Sequence, residues 1–263
     1  MLTLILTGAV AVCGVMLLLW LIHFPLCNAA IVDAGWAGGL ALLGAIYAVM
    51  GVGWAPRRIA IAFMAMTWGL RLALYLLFTR VIGHPEEGRY VELRKQWRTN
   101  IPLKFLLFFE FQAVLCIVLS APFLLVAQNP APAFSIFEYA AAVLWVVAMV
   151  GEVTADLQLN AFKSNPANRG KTCRAGLWSY SRHPNYFFEW LIWVAFCLFA
   201  IDSKYGYLAL VPPALMLYFL FRVTGIPATE AQALRTRAED YMRYQQTTSA
   251  FVPWFPRNKH HAD

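Results

Sequence analysis

Charge is what this sequence has least of. Only 13% of its 263 residues are Asp, Glu, Lys or Arg and 60% are hydrophobic, whereas a soluble domain averages about 25% charged and about 45–50% apolar. With a mean hydropathy of +0.58, that shortage excludes a water-soluble globular protein. Apolar runs and short loops use nearly all of the chain, so no separate soluble domain is hidden in it. The five cysteines (Cys13, Cys27, Cys116, Cys173 and Cys197) are scattered, mostly in apolar runs, without a CxxC pair. That pattern indicates neither a disulfide framework nor a zinc site, and no metal is expected. No G-x-G-x-x-G follows a strand and no G-x-x-x-x-G-K-S/T occurs, so neither soluble nucleotide-binding fold is encoded. The first apolar run, Leu2 to Phe24, lacks a basic n-region and an A-x-A cleavage site, so it reads as a retained span. No internal repeat or low-complexity tract is evident.

What is present is a series of apolar runs, at roughly 2–24, 29–54, 58–82, 105–127, 135–160, 186–202 and 205–226. A helix needs about 20 mostly apolar residues to cross a bilayer, so the fold class is all-α, a polytopic membrane bundle of about seven transmembrane helices. The sixth run is the shortest. The chain is expected to form a single membrane domain, with residues 1–130 as substrate-side helices and 131–263 as cofactor-binding helices, basic loops and tail. Seven spans leave only Arg57, Arg58 and Lys204 on the amino-terminal side, and Arg71 inside a span. Positive charge marks the cytoplasmic side, so the amino terminus is expected outside the cytoplasm and the carboxyl terminus within it. The net charge of +7 is then largely topological and does not call for nucleic acid.

The informative residues are polar groups in apolar surroundings. The stretch "SYSRHPNYFFEW" places Arg182, His183, Asn185, Tyr186 and Glu189 where an apolar run begins, and residues four apart share a helix face. Glu152, Asp156, Asn160 and Lys163 form one stripe near the end of the fifth run. A solvated helix end would explain its last members, but not a stripe that starts two turns inside. Asn185 and Glu189 can face that stripe, and Arg222 sits at the end of the seventh run, where it can equally snorkel to lipid phosphate. The loop between holds Lys163, Arg169, Lys171, Arg174 and Arg182, cations suited to phosphates. In the first half, Asp33 and Trp36 lie on the second run; Trp68, Arg71 and Tyr75 lie on one face of the third. A charge inside a span needs a partner. For Arg71, Asp33 is the obvious one, with Glu110 or Gln112 as alternatives. In the tail, "ATEAQALRTRAEDYMRYQ" reads as a polar helix opened by Thr229.

The order Asp156, Lys163, Lys171, "AGLW", "SYS", "NYFFE" resembles the steroid 5α-reductase family and its bacterial membrane-integral branch. The resemblance covers roughly Glu152 to Phe255, and more weakly the regions of Asp33, Trp68–Arg71 and Gln112. It implies an inner-membrane enzyme that uses NADPH, held by Glu152, Asp156, Asn160, Lys163, Lys171, Arg174, Tyr180, Arg182, His183, Asn185, Tyr186, Glu189, Arg222, Glu230 and Tyr241. It also implies reduction of the C=C bond of an apolar enone such as a 3-oxo-Δ4 steroid, which enters from the bilayer. Trp36, Trp68, Arg71 and Gln112 would line the substrate side. The family's acid falls on Asp33 and its tyrosine on Tyr75, with Tyr90 as the alternative. Counted back from Arg71, the family's tyrosine position lands on Trp68. The expected partners are that substrate and membrane lipid, in a monomer. "RHPNYFFE" also resembles the RHPxYxxE signature of isoprenylcysteine and phospholipid methyltransferases, which use S-adenosylmethionine. The long amino-terminal half, the Asp156–Asn160 stripe and the phosphate-suited cations favour the reductase.

Overall fold

In a computed structural model that describes residues 1–86, 88–223 and 225–257, the apolar runs are helices. They are α1 (Leu2–Leu26), α2 (Ile31–Met50), α3 (Ala55–Leu76), α5 (Ile101–Leu119), α7 (Ile136–Ser164), α8 (Pro184–Ala200) and α9 (Val211–Tyr218). Between them lie the amphipathic α4 (Gly88–Trp97) and the short α6 (Ala121–Ala127), and the polar α10 (Ile226–Thr247) follows. Proline stands in the first turn of α3, α5, α6 and α10, where its missing N–H is no loss. Pro122 also breaks the fourth expected run into α5 and α6 at Ser120, because a proline inside a helix cannot donate to the preceding turn. π turns extend α3 over Leu77–Val81 and α9 over Phe219–Val223. Among the described residues there is no strand, only an isolated parallel bridge between Ser181 and Ser249.

Among the described residues six helical runs are long and apolar enough to cross a membrane, and α8, at 17 residues, is the shorter seventh. The protein is a multi-pass membrane protein. The last long run, Gly206–Thr247, is apolar only in its first part. Its α10 portion carries Glu230, Arg235, Arg237, Glu239, Asp240 and Arg243, so α10 lies beyond the final span.

The chain divides into two compact units, Met1–Glu138 with Phe199–Pro212 and Tyr139–Leu198 with Pro213–Asp263. In the first unit α2 is the core helix. It forms an antiparallel hairpin with α3 so close that a Cβ on Gly69 would stand 2.6 Å from the carbonyl oxygen of Ala37, and one on Gly44 2.9 Å from the Ala65 Cβ. Trp36 and Trp68 meet edge to face there at 5.9 Å. The outward face of α1 (Leu6, Val10, Leu17, Leu21) stays exposed, as a lipid-facing surface should.

Of the cations that sequence placed on the cation-poor side, Arg57 and Arg58 are bound internally, whereas Lys204 is exposed. Arg57 is 2% exposed. Its guanidinium donates to both oxygens of buried Glu138 and to the carbonyls of Ala131 (2.5 Å) and Ala133. It lies against the rings of Trp54 and Phe134. Arg58 Nη1 donates to the carbonyls of Ala48 (2.5 Å) and Gly51 (2.7 Å). The turn "QNPAPAF" is thus folded around Arg57. Removing one member of a buried ion pair costs about 3–5 kcal/mol. Glu138→Ala should therefore lower the melting temperature of the detergent-solubilised chain sharply, and a joint Arg57→Met, Glu138→Leu exchange should recover much of the loss.

Candidate functional site

The second unit contains the stretch that sequence singled out. His183 precedes α8, which starts at Pro184, two residues earlier than the apolar run suggested. Its backbone N–H donates to the Ser181 hydroxyl at 3.1 Å, and its carbonyl accepts the amide of Phe187. The ring stacks on Tyr186 at 5.3 Å with planes 7° apart, and the Tyr186 hydroxyl lies 3.2 Å from that of Thr229.

Arg182 and His183 share one carboxylate, Glu230. Arg182 Nε donates to Glu230 Oε1 at 2.7 Å; His183 Nε2 and the Tyr241 hydroxyl reach the same oxygen at 3.3 Å. Gln245 Nε2 donates to the other oxygen at 2.7 Å. Burial pulls the Glu230 carboxyl upward, but the hydrogen bonds from His183 and Arg182, the charge of Arg182 and the Gln245 amide outweigh it and hold the group at about 2. Tyr241 is pushed above its usual range, first by burial and then by the charge of Glu230. Glu230, Tyr241 and Gln245 lie at i, i+11 and i+15, one face of α10. That period could have added Gln245 to the site. Tyr244, which sequence also missed, is buried and donates to the carbonyls of Trp178 and Ser181 (3.0 Å).

The stripe on α7 divides. Glu152 and Asp156 are buried, whereas Asn160 and Lys163 are exposed at the helix end. Asn185 Nδ2 donates to Asp156 Oδ1 at 3.3 Å, so α7 and α8 do meet through the predicted pair, with Glu189 half-buried one turn further along. The close approach needs Gly151, since a Cβ there would enter the ring of Phe188. The loop after α7 folds back on it. Gln158 Oε1 accepts the Leu177 amide at 2.9 Å, and Trp178 Nε1 donates to the Ala155 carbonyl at 3.0 Å. Gly176, with φ of 60°, allows this reversal, because a positive φ favours glycine. The loop cations have different fates. Arg174 donates to Asp240 Oδ1 at 2.7 Å, while Lys171 and Arg222 are exposed with no side-chain partner among the described residues. Tyr180 is exposed, edge-on to Phe255 at 6.1 Å.

In the first unit Asp33 stands in the first turn of α2. Its Oδ1 accepts the hydroxyl of fully buried Tyr90 at 2.8 Å, and its Oδ2 accepts from Arg89. Arg89 also donates to the Tyr90 hydroxyl at 2.7 Å and lies over its ring. Asp33 is therefore joined to α4: the loop after α3 turns Arg89 and Tyr90 back onto it. Nearby, Glu86 accepts the Ala29 amide at 2.8 Å and both Nε and Nη2 of Arg94. Of the two tyrosines, Tyr90 reaches Asp33; Tyr75 is half-buried on α3, as is Arg71, and Gln112 is half-buried on α5. Among the described residues no cluster of three His, Cys, Asp or Glu side chains is placed to hold a metal.

A family model described as "Protein of unknown function (DUF1295)" matches residues 19–248. No curated protein and no solved structure matches the chain.

Because Glu230 lies below its ordinary value in the folded chain, its ionised form is favoured by folding. Its contribution is complete above about pH 4.5 and is lost as pH falls towards 2. Melting temperature should decline across that window in the natural chain, and Glu230→Gln should flatten the decline. Glu230→Ala, which strands Arg182, should cost about 3–5 kcal/mol at neutral pH.

Proposed function

We propose that this chain, which belongs to the DUF1295 family of proteins of unknown function, is an NADPH-dependent reductase of an apolar enone, with a 3-oxo-Δ4 steroid as the model substrate. The observation that carries this reading is the hydrogen bond between the buried Tyr90 hydroxyl and Asp33. An enone reductase requires a positioned phenol or acid at the ketone oxygen, and methyl transfer does not.

The residues of the second unit fit the proposed cofactor. The buried carboxylates of Glu152 and Asp156 can accept ribose hydroxyls, and the Asn185 amide can serve hydroxyl or carboxamide groups. Lys171 and Arg222 offer unengaged charge for phosphates, whereas Arg174 is shared with Asp240. When bound, the reduced nicotinamide supplies a hydride to the enone β-carbon. The chain supplies the rest. Tyr90 would turn its proton from Asp33 to the oxygen on which enolate charge grows, while Asp33 and Arg89 hold the phenol in place. Trp36, half-buried and edge to face with buried Trp68, provides flat apolar surface in the same unit.

A second reading, methyl transfer from S-adenosylmethionine, is favoured by the Arg182–Glu189 motif alone. The excess of exposed cations argues against it, since that cofactor carries no phosphate. Their distribution also supports an extracytoplasmic amino terminus and a cytoplasmic carboxyl terminus. Reporters fused within residues 130–133 and after Arg257 should fall on opposite sides.

Asp33→Asn and Tyr90→Phe should leave NADPH affinity nearly unchanged and slow single-turnover enone reduction by about a hundredfold or more. Asn185→Ala should instead weaken NADPH binding by roughly five- to a hundredfold. Loss of cofactor binding in Asp33→Asn would reduce Asp33 to a tie between α2 and α4. Tight binding of S-adenosylmethionine with no response to NADPH would establish the second reading.

A further inference from the structure

Beyond α10 the chain turns back around one side chain. The backbone N–H of Arg182 donates to the Ser249 carbonyl at 2.8 Å, and Nη1 donates to the carbonyls of Gln245 (3.1 Å) and Thr248 (2.7 Å). The Ser181 hydroxyl donates to the Phe251 carbonyl at 2.7 Å, the Trp254 amide to the Tyr180 carbonyl at 2.9 Å, and the Arg257 amide to the Thr247 carbonyl at 2.8 Å. This turn encloses an open cavity of about 350 Å³, bordered by Arg182, Thr247, Thr248, Trp254, Phe255 and Arg257.

Three properties define what this cavity can hold. Two of its lining residues are arginines and none is acidic. Arg182 uses Nε and Nη1 on the protein, and its Nη2 has no hydrogen-bond partner among the described residues. The cavity is rimmed by Trp254 and Phe255, 69% and 76% exposed. A bare inorganic anion would use the arginines and leave the aromatic rim idle. An apolar ligand would leave the guanidinium unmet.

We infer that this cavity is a binding site for a phosphate ester, its phosphoryl oxygens between Arg182 and Arg257 and its organic part against Trp254 and Phe255. Arginine is the side chain best matched to phosphate geometry. The ester can come from the headgroup of an anionic phospholipid, since tryptophan favours the membrane interface, or from a soluble phosphorylated metabolite. The inference stands apart from the pairs that carry the reductase reading, since Asp33, Tyr90, Asp156 and Asn185 do not line the cavity; Arg182 alone is shared with the residues expected to hold NADPH.

Two probes distinguish the sources in titration calorimetry of the full chain in neutral detergent: glycerol 3-phosphate and a short-chain phosphatidylglycerol. At least one should bind saturably, and Arg257→Ala should weaken that binding about tenfold, the order expected for one charged partner. Arg257→Gln should behave alike, and both variants should melt as the natural chain does, because the side chain is exposed and its backbone bond remains. Binding of the lipid alone, weakened by Trp254→Ala, assigns the site to a headgroup. Binding of glycerol 3-phosphate as tight as that of the lipid, again weakened by Trp254→Ala, assigns it to a soluble ester. If neither probe binds the folded chain, or if binding ignores Arg257→Ala, the site does not exist. Neither result bears on NADPH affinity, measured separately.

Discussion

A carboxylate removed from water must be surrounded by donors, and Glu230 is surrounded from two directions. Arg182 and His183 reach it from the start of α8, Tyr241 and Gln245 from further along its own helix. Through the carbonyls that Arg182 also holds, the same centre fixes the turn after α10. The polar half of the second unit is therefore assembled around one negative charge. An uncompensated buried ion is far more costly than any single hydrogen bond is favourable, so these segments cannot separate without exposing it. The first unit uses the same device at Arg57 and Glu138, where a loop of small residues and prolines closes on a buried guanidinium.

These ion centres leave the apolar helices free to carry function. The α2–α3 hairpin closes through glycine and alanine, as membrane helices pack when small residues allow backbones to approach. That close packing holds Trp36 against Trp68 and leaves Asp33 at the polar end of α2, within reach of α4. In the second unit, Gly151 brings α7 and α8 together where Asp156 and Asn185 meet. There the missing side chain of Gly151 lets a polar pair form between apolar helices.

The features legible in the sequence were those carried by period and composition. The apolar runs gave the spans, and the stripe on α7 led to the buried pair Glu152 and Asp156 and to the contact with Asn185. The features it concealed depend on chain reversals. Nothing in the spacing of Arg89 and Tyr90 ties them to Asp33, more than fifty residues earlier, because a loop and a short amphipathic helix make that contact. The same holds for Arg174, which reads as a free loop cation and instead meets Asp240 on α10. The break at Ser120 was visible in Pro122, but a long apolar run outweighed one proline. Arg257 and the aromatic rim carry no periodic signal, since the turn that positions them is held by backbone carbonyls.

The central claim is that the second unit recognises a phosphorylated dinucleotide, and the small molecule that accompanies the protein tests it most directly. Gently purified chain, denatured and examined by mass spectrometry, should release NADP(H) in a substantial fraction of molecules, and Asn185→Ala should release markedly less. Release of S-adenosylmethionine or its demethylated product instead, with no dinucleotide, would contradict the claim and make the motif at Arg182–Glu189 the site of methyl transfer.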